Sequence, residues 1–133
     1  MTAEIDRAGM ADRCAAVGGD ARLDVPTADV YLFRMVLCDF PDPQAAAVLR
    51  AARRAAPLAA ELVIIDRIRR PGATDPAATH AAMSTLNLMV MTGAAERTQG
   101  EYGSLLHHAG WTLTDSRPLT SGGPLHYLSA VTR

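Results

Sequence analysis

The sequence predicts an α/β fold in one domain, with about five strands in a single sheet and helices on both faces. Residues 28–37 and 61–68 are largely apolar on both alternating faces, as strands buried within a parallel sheet are. A helical pattern at residues 44–56 lies between them and suits the crossover connection that parallel strands require. Residues 111–119 and 125–131 alternate apolar and polar side chains, which predicts an antiparallel strand pair at the end of the chain.

The first part of the chain predicts a short helix, a short strand and a loop. Residues 2–12 favour a helix that ends near Gly9. Residues 14–17 are a short apolar run closed by Gly-Gly-Asp at 18–20, which indicates a strand followed by a turn. Residues 21–28 are polar and contain a proline, so we predict a loop there.

The helix at 44–56 has recognisable start and stop signals. Asp39 and Asp42 offer carboxylates that suit an N-cap, and Pro43 suits the first turn. Pro57 stops the helix before the next strand begins.

The second half of the chain predicts two further helices. After a loop, apolar side chains recur at helical spacing over residues 77–91, and Gly93 ends that pattern. Thr98 and Glu101 form a capping-box pattern that opens a helix to residue 109, with Gly110 at its C-terminal end. A Ser-Gly-Gly-Pro sequence then indicates the turn between the last two strands.

Composition and charge narrow the function classes. A chain of 133 residues fits one domain, and a net charge of −1 argues against nucleic-acid and anionic-membrane partners. No apolar run approaches the roughly 20 residues that span a bilayer, and the polar N-terminus lacks a signal-peptide pattern. The two cysteines form no disulfide framework, and the four histidines are scattered. We therefore expect a cytoplasmic protein without a metal site.

Five short motifs occur in order along the chain. They are Gly-Gly-Asp at 18–20, Arg34, Cys38-Asp39-Phe40, Asp66, and the segment from Thr92 to Thr98 that contains Glu96 and Arg97. Together they resemble the motifs of small-molecule O-methyltransferases that use S-adenosylmethionine, the family of the caffeate, acetylserotonin and polyketide enzymes. The resemblance implies the C-terminal part of a Rossmann-like methyltransferase sheet.

The resemblance also implies roles for individual residues. In the family, Gly-Gly-Asp lies beside the adenine and a lysine at the place of Arg34 contacts the methionine end, so Gly19, Asp20 and Arg34 are candidate cofactor-binding residues. The family's general base is a histidine. Here Cys38 takes its place, and we predict Cys38, Asp39 and Glu96 as the catalytic residues.

Acceptor binding is predicted for the methionine-rich helix. The helix resembles the one that lines the family's acceptor pocket, so Met83, Asn87 and Met91 are the candidate substrate-binding residues.

Each of these residues also has a structural interpretation. Cys38 fits a buried small side chain, Asp39 an N-cap, Glu96 a charge near a helix start, and Asp20 a turn residue. The methionines fit a plain core.

Arg34, within an apolar strand, needs a partner because an unpaired buried charge is costly. A ligand carboxylate, Asp66 or Glu96 would serve.

The family's helical dimerisation domain and Gly-rich cofactor loop have no counterpart in this sequence. We therefore expect an incomplete S-adenosylmethionine site and an unpaired edge on strand 28–37, which is covered by another chain in a homo- or hetero-oligomer or by the rearranged strand 14–17. Three functions remain open: a natural-product O-methyltransferase acting with a partner chain, a repurposed small-molecule binder or cyclase-like enzyme, and a non-catalytic stabilising subunit.

Overall fold

A computed structural model describes residues 2–72, 76–120 and 125–133, and within them one mixed sheet carries the fold. Its strands are β1 (Val30–Arg34), β2 (Glu61–Arg67), β3 (Trp111–Pro118) and β4 (Leu125–Thr132). The helices are α1 (Thr2–Arg7), α2 (Asp42–Ala55), α3 (Pro76–Thr92) and α4 (Gln99–His108), with a short 3₁₀ turn at Leu37–Asp39. No helix in the described ranges is long and apolar enough to cross a membrane.

The sheet runs in the order β1-β2-β4-β3. β1 and β2 are parallel and are joined by α2, as the sequence predicted. β4 inserts antiparallel between β2 and β3, so the predicted antiparallel pair at the end of the chain is confirmed. The turn predicted at residues 121–124 lies outside the described residues.

α2 and α4 pack into one hydrophobic core with the sheet. Leu62 and Ile64 of β2 face that core, and Trp111 at the start of β3 is fully buried in it. The Trp111 Nε1–H donates to the carbonyl of Leu49 in α2 at 3.0 Å, which ties the helix to the sheet edge. Each fully buried leucine or isoleucine contributes about 1.5–3 kcal/mol to folding.

The strand predicted at residues 14–17 is wrong, and the described sheet has four strands, not five. Val17 is 67% exposed. A short apolar run becomes a strand only when another strand pairs with it, because its backbone groups otherwise stay bonded to water. In the described residues no strand lies beside this run.

β1 is also shorter than the predicted strand 28–37. Met35 adopts a left-handed backbone conformation (φ 52°), which ends the strand after Arg34. The outward face of β1 is not buried: Leu32 is 61% exposed.

The starts of the helices were predicted with mixed success. The capping box of α4 is confirmed, because Thr98 Oγ1 accepts from the Glu101 N–H and the Glu101 carboxylate accepts from the Thr98 N–H. The carboxylate N-cap of α2 is wrong. Pro41 is the N-cap and makes no side-chain cap, while Asp39 belongs to the preceding 3₁₀ turn.

Candidate functional site

A cavity of about 310 Å³ opens where β1 and β2 end, between the 3₁₀ turn and α3. Side chains from four segments line it: Met35, Cys38 and Asp39; Arg67; Ser84, Asn87, Leu88, Met91 and Thr92; and Glu96. Ligand sites in open α/β sheets form at the C-terminal ends of strands, because the loops there diverge. The position and the mixed apolar and charged lining make this the candidate site.

Backbone geometry brings Cys38 and Asp39 to the floor of this cavity. The Met35 N–H still bonds to the Ile65 carbonyl at 2.9 Å, so the chain leaves the sheet only after that residue. The left-handed turn at Met35 and the 3₁₀ turn that follows then carry Cys38 back across the end of β2.

Asp66, at the end of β2, organises the residues behind the cavity. Its fully buried carboxylate accepts hydrogen bonds from the Cys38 N–H at 3.1 Å and from the Tyr102 hydroxyl at 2.7 Å. The other oxygen accepts from the Arg67 N–H at 3.0 Å. Three donors compensate the cost of burying a carboxylate. The arrangement also fixes where the backbone of Cys38 lies.

The Cys38 thiol is unsuited to act as a base. Only 3% of the residue is exposed, and Sγ lies 3.7 Å from the Asp39 carboxylate. Burial, followed by the neighbouring Asp66 and Asp39 carboxylates, raises the pKa of Cys38 far above its ordinary value. The thiol is therefore protonated at neutral pH, and the interpretation of Cys38 as a small buried side chain agrees with its burial.

Glu96 forms a buried wall of the cavity and pairs with Arg67. The Arg67 Nη1 lies 3.6 Å from the Glu96 carboxylate and donates to the Ser84 hydroxyl of α3 at 2.5 Å. Arg67 was not among the sequence-predicted site residues. The available signal was its position directly after Asp66 at the end of β2. Adjacent strand residues face opposite sides of the sheet, so Arg67 lies on the side of β2 away from the core.

Arg97 was also missed, although it stands next to Glu96 in the motif. Its guanidinium donates to the carbonyls of Leu37 at 2.8 Å and Phe40 at 2.7 Å, and to the Asp42 carboxylate at 2.8 Å. The side chain is 5% exposed. Sequence alone does not give such contacts, because the two segments are more than fifty positions apart.

The predicted catalytic and acceptor-binding residues largely converge. Cys38, Asp39 and Glu96 line the cavity together with Asn87 and Met91. Met83 does not line it and is 64% exposed, and Met91 is 75% exposed, so the interpretation of the methionines as plain core is wrong.

The predicted cofactor-binding residues do not join this cavity. The Asp20 carboxylate is bonded by the Arg22 side chain at 2.7 and 2.9 Å, and these bonds lower the pKa of Asp20 to about 2. A Cβ added to Gly19 would meet no atom within 4 Å, so nothing closes around it. As placed, Gly19 and Asp20 do not enclose a space that would fit the adenosine of S-adenosylmethionine.

Arg34 is exposed on β1, and neither Asp66 nor Glu96 is its partner. The side chain leaves the sheet on the uncovered face of this short strand, so water solvates the charge that the sequence placed in an apolar strand.

Elsewhere in the described residues, no three His, Cys, Asp or Glu side chains cluster as metal ligands.

Comparison with known proteins gives consistent relatives. The chain matches the O-methyltransferase domain family over residues 2–112. Phenazine O-methyltransferase PhzM of Lysobacter antibioticus is 35% identical over 116 residues, which cover 86% of this chain and 33% of that protein. The mitomycin biosynthesis 6-O-methyltransferase of Streptomyces lavendulae is 34% identical over 117 residues, covering 86% and 32%.

A solved structure agrees with these sequences. The crystal structure of LaPhzM matches with a TM-score of 0.87 and 32% identity, over 98% of this chain and 38% of that chain. The chain thus spans about a third of the length of the curated relatives it matches.

Proposed function

Because this chain belongs to the O-methyltransferase domain family, we propose that it supplies the acceptor-binding part of the active site of a natural-product O-methyltransferase. The observation that carries the proposal is the cavity where Cys38, Asp39 and Glu96 meet Asn87 and Met91 of α3. Its volume of about 310 Å³ suits a small aromatic acceptor.

The cofactor side of the site comes from elsewhere in this proposal. S-adenosylmethionine, the methyl donor that the resemblance implies, would supply the activated methyl group when bound. The candidate cofactor-binding residues Gly19, Asp20 and Arg34 do not line the cavity, and the chain spans only about a third of its relatives' length. Further residues, in the same polypeptide or in a partner chain, complete the site.

The place for that completion is the outer edge of β1. Within the described residues β1 pairs only with β2, and Val30 and Leu32 on its outward face are more than half exposed. An open strand edge beside exposed apolar side chains favours association. A strand from a second chain, or from further sequence of the same chain, would pair with the open edge.

Within this chain, the Asp39 carboxylate is a candidate to accept a hydrogen bond from an acceptor hydroxyl, together with the Asn87 amide oxygen in the same cavity. Cys38 keeps its proton, and the Glu96 carboxylate is engaged by Arg67. Asp39 is exposed at the cavity, and among the described residues its carboxylate accepts only the long hydrogen bond from the Cys38 thiol. Its part is to orient the hydroxyl, since a carboxylate is a weak base for a phenol.

Ligand binding to the isotopically labelled full chain, followed by NMR, tests the proposal. We expect Asn87→Ala and Met91→Ala to weaken binding of a hydroxylated aromatic probe, such as a hydroxyphenazine, in NMR titrations. Met83→Ala is the matched control, because Met83 lies on the same helix outside the cavity. Equal effects of Met83→Ala and Met91→Ala would contradict the assignment of the cavity as the acceptor site.

A second candidate function is a small-molecule binder or cyclase-like enzyme that uses the same cavity without methyl transfer. The protonated thiol at the position of the family's base favours it. The Cys38→His variant of the completed assembly separates the two. Methyl transfer that is higher in Cys38→His than in the wild type would support a methyltransferase site with a weakened base, whereas no methyl transfer in either protein, with intact acceptor binding, would support the binder.

A further inference from the structure

The segment that carries the cavity floor is weakly held by its own backbone. Its 3₁₀ turn rests on two long hydrogen bonds, from the Asp39 N–H to the Val36 carbonyl at 3.2 Å and from the Phe40 N–H to the Leu37 carbonyl at 3.3 Å. The preceding Met35 has a left-handed conformation, which is unfavourable for a side chain other than glycine. Contacts from outside the segment must therefore fix it.

Arg97 provides those contacts on both sides of the site residues. The carbonyls that it bonds, Leu37 and Phe40, bracket Cys38 and Asp39. Its third contact, Asp42, is the first residue of α2. One rigid guanidinium thus holds the entry to the segment, its exit and the start of the helix that follows.

The opposite side of the segment is held by the Asp66 carboxylate. Asp66 bonds the Cys38 N–H, and Tyr102 bonds Asp66 while its ring lies 5.6 Å from the Arg97 guanidinium. The backbone at Cys38 is therefore fixed on one side by the buried Asp66 carboxylate, which accepts from the Cys38 N–H. On the other side it is fixed by the buried Arg97 guanidinium, which donates to the Leu37 and Phe40 carbonyls.

The energetic cost of burying Arg97 and Asp66 bears on whether they stabilise the whole fold or fix the position of this segment. Two buried charges contribute less to folding than well-packed apolar side chains of similar volume, because both must be desolvated. Among the described residues, only Asp42, which is largely exposed, forms a salt bridge with Arg97. The hydrogen bonds of Arg97 to the Leu37 and Phe40 carbonyls are directional, so they restrict the geometry of this segment.

We propose that Arg97 is a positioning residue that suppresses local opening of residues 36–40 and so holds Cys38 and Asp39 at the floor of the cavity. This goes beyond the proposed function, because it holds for any ligand of the cavity. It makes Arg97 the main determinant of how often the floor opens while the rest of the protein stays folded.

Thiol labelling of the native protein measures that opening. In a Cys14→Ser background, Cys38 is the only thiol and is 3% exposed, so a thiol reagent reacts with it only after opening. The labelling rate is compared with the global unfolding constant from urea denaturation of the same variant. Arg97→Lys keeps the charge but removes the fork that spans the two carbonyls.

Arg53 gives a matched control. It also bonds two backbone carbonyls across the fold, those of Gly110 at 3.2 Å and Arg133 at 2.9 Å, away from the cavity. We expect Arg97→Lys to raise Cys38 labelling about tenfold or more beyond its effect on global unfolding, because two hydrogen bonds from a charged donor are lost. Arg53→Lys should raise labelling only by the change in global unfolding.

Labelling in Arg97→Lys that rises only in step with global unfolding, or does not rise, overturns the proposal. If Arg97→Lys fails to fold, the Asp42→Asn variant tests the proposal, because it weakens the hold on the Arg97 guanidinium from the exposed side. Faster Cys38 labelling at unchanged global stability in Asp42→Asn supports the proposal, and unchanged labelling overturns it.

Discussion

Cys38→Ala should make the stability of this protein less sensitive to alkaline pH. Burial raises the pKa of Cys38 in the folded state above its ordinary value of 9.0. Below that value both the folded and the unfolded state hold the thiol proton, and the full stabilisation is present. As the pH rises above 9, the unfolded state releases the proton while the folded state keeps it, so stability falls.

The size of the effect follows from that difference. One proton held only by the folded state costs about 1.4 kcal/mol of unfolding free energy per pH unit. Between about pH 7.5 and 10.5 the wild-type protein should therefore lose about 2 kcal/mol through Cys38. All 13 basic residues of the chain are arginines, so no lysine titration obscures this range. Tyr102 adds a similar loss above its ordinary pKa of 10.0, in wild type and variant alike.

Urea denaturation at a series of pH values under reducing conditions is the assay. The unfolding free energy of the wild type minus that of Cys38→Ala should fall by about 2 kcal/mol from neutral pH to about pH 10.5. Cys14→Ser is the control, because Cys14 is exposed and its variant should follow the wild type. Parallel pH curves for wild type and Cys38→Ala would refute the reasoning that burial holds the proton on this thiol.

Three further predictions concern the supports of the fold, each measured as unfolding free energy at neutral pH. Tyr102→Phe should cost about 1.5–3 kcal/mol, because a buried bond to the charged Asp66 is lost; a loss below about 0.5 kcal/mol would show that Asp66 is satisfied without it. Gly110→Ala, at φ 87°, should cost more than about 1 kcal/mol, whereas Gly100→Ala, inside α4 with open space around it, should stabilise by up to about 1 kcal/mol. Similar effects at both glycines would contradict the conformational argument. Thr98→Ala should cost about 0.5–2 kcal/mol through loss of the capping box, and an unchanged unfolding free energy would count against the cap.

Local sequence signals predicted the elements that depend on local physics. The capping box at Thr98 and Glu101 marked the start of α4, because both hydrogen bonds join residues three positions apart. The alternation at residues 111–119 predicted β3 because one face of that strand packs on the core. The apolar run at 14–17 failed for the opposite reason, since a strand needs a neighbour and the run itself does not specify one.

The candidate site was predicted only where a residue's role is carried by its own motif. The sequence led to Cys38, Asp39 and Glu96, which the fold brings to one cavity. It did not lead to Arg67 or to the hydrogen bonds of Arg97, because their partners lie far away in the chain.

The sequence by itself determined the family and the parallel β1-α2-β2 unit, because these are properties of residue identity and local pattern. Only the tertiary structure decided what Cys38 is chemically. Its thiol is held protonated by burial and by a carboxylate 28 positions away. The pKa of Cys38 and the hydrogen bonds of Arg97 depend on which distant groups the fold brings within a few ångströms. A linear sequence does not contain those distances.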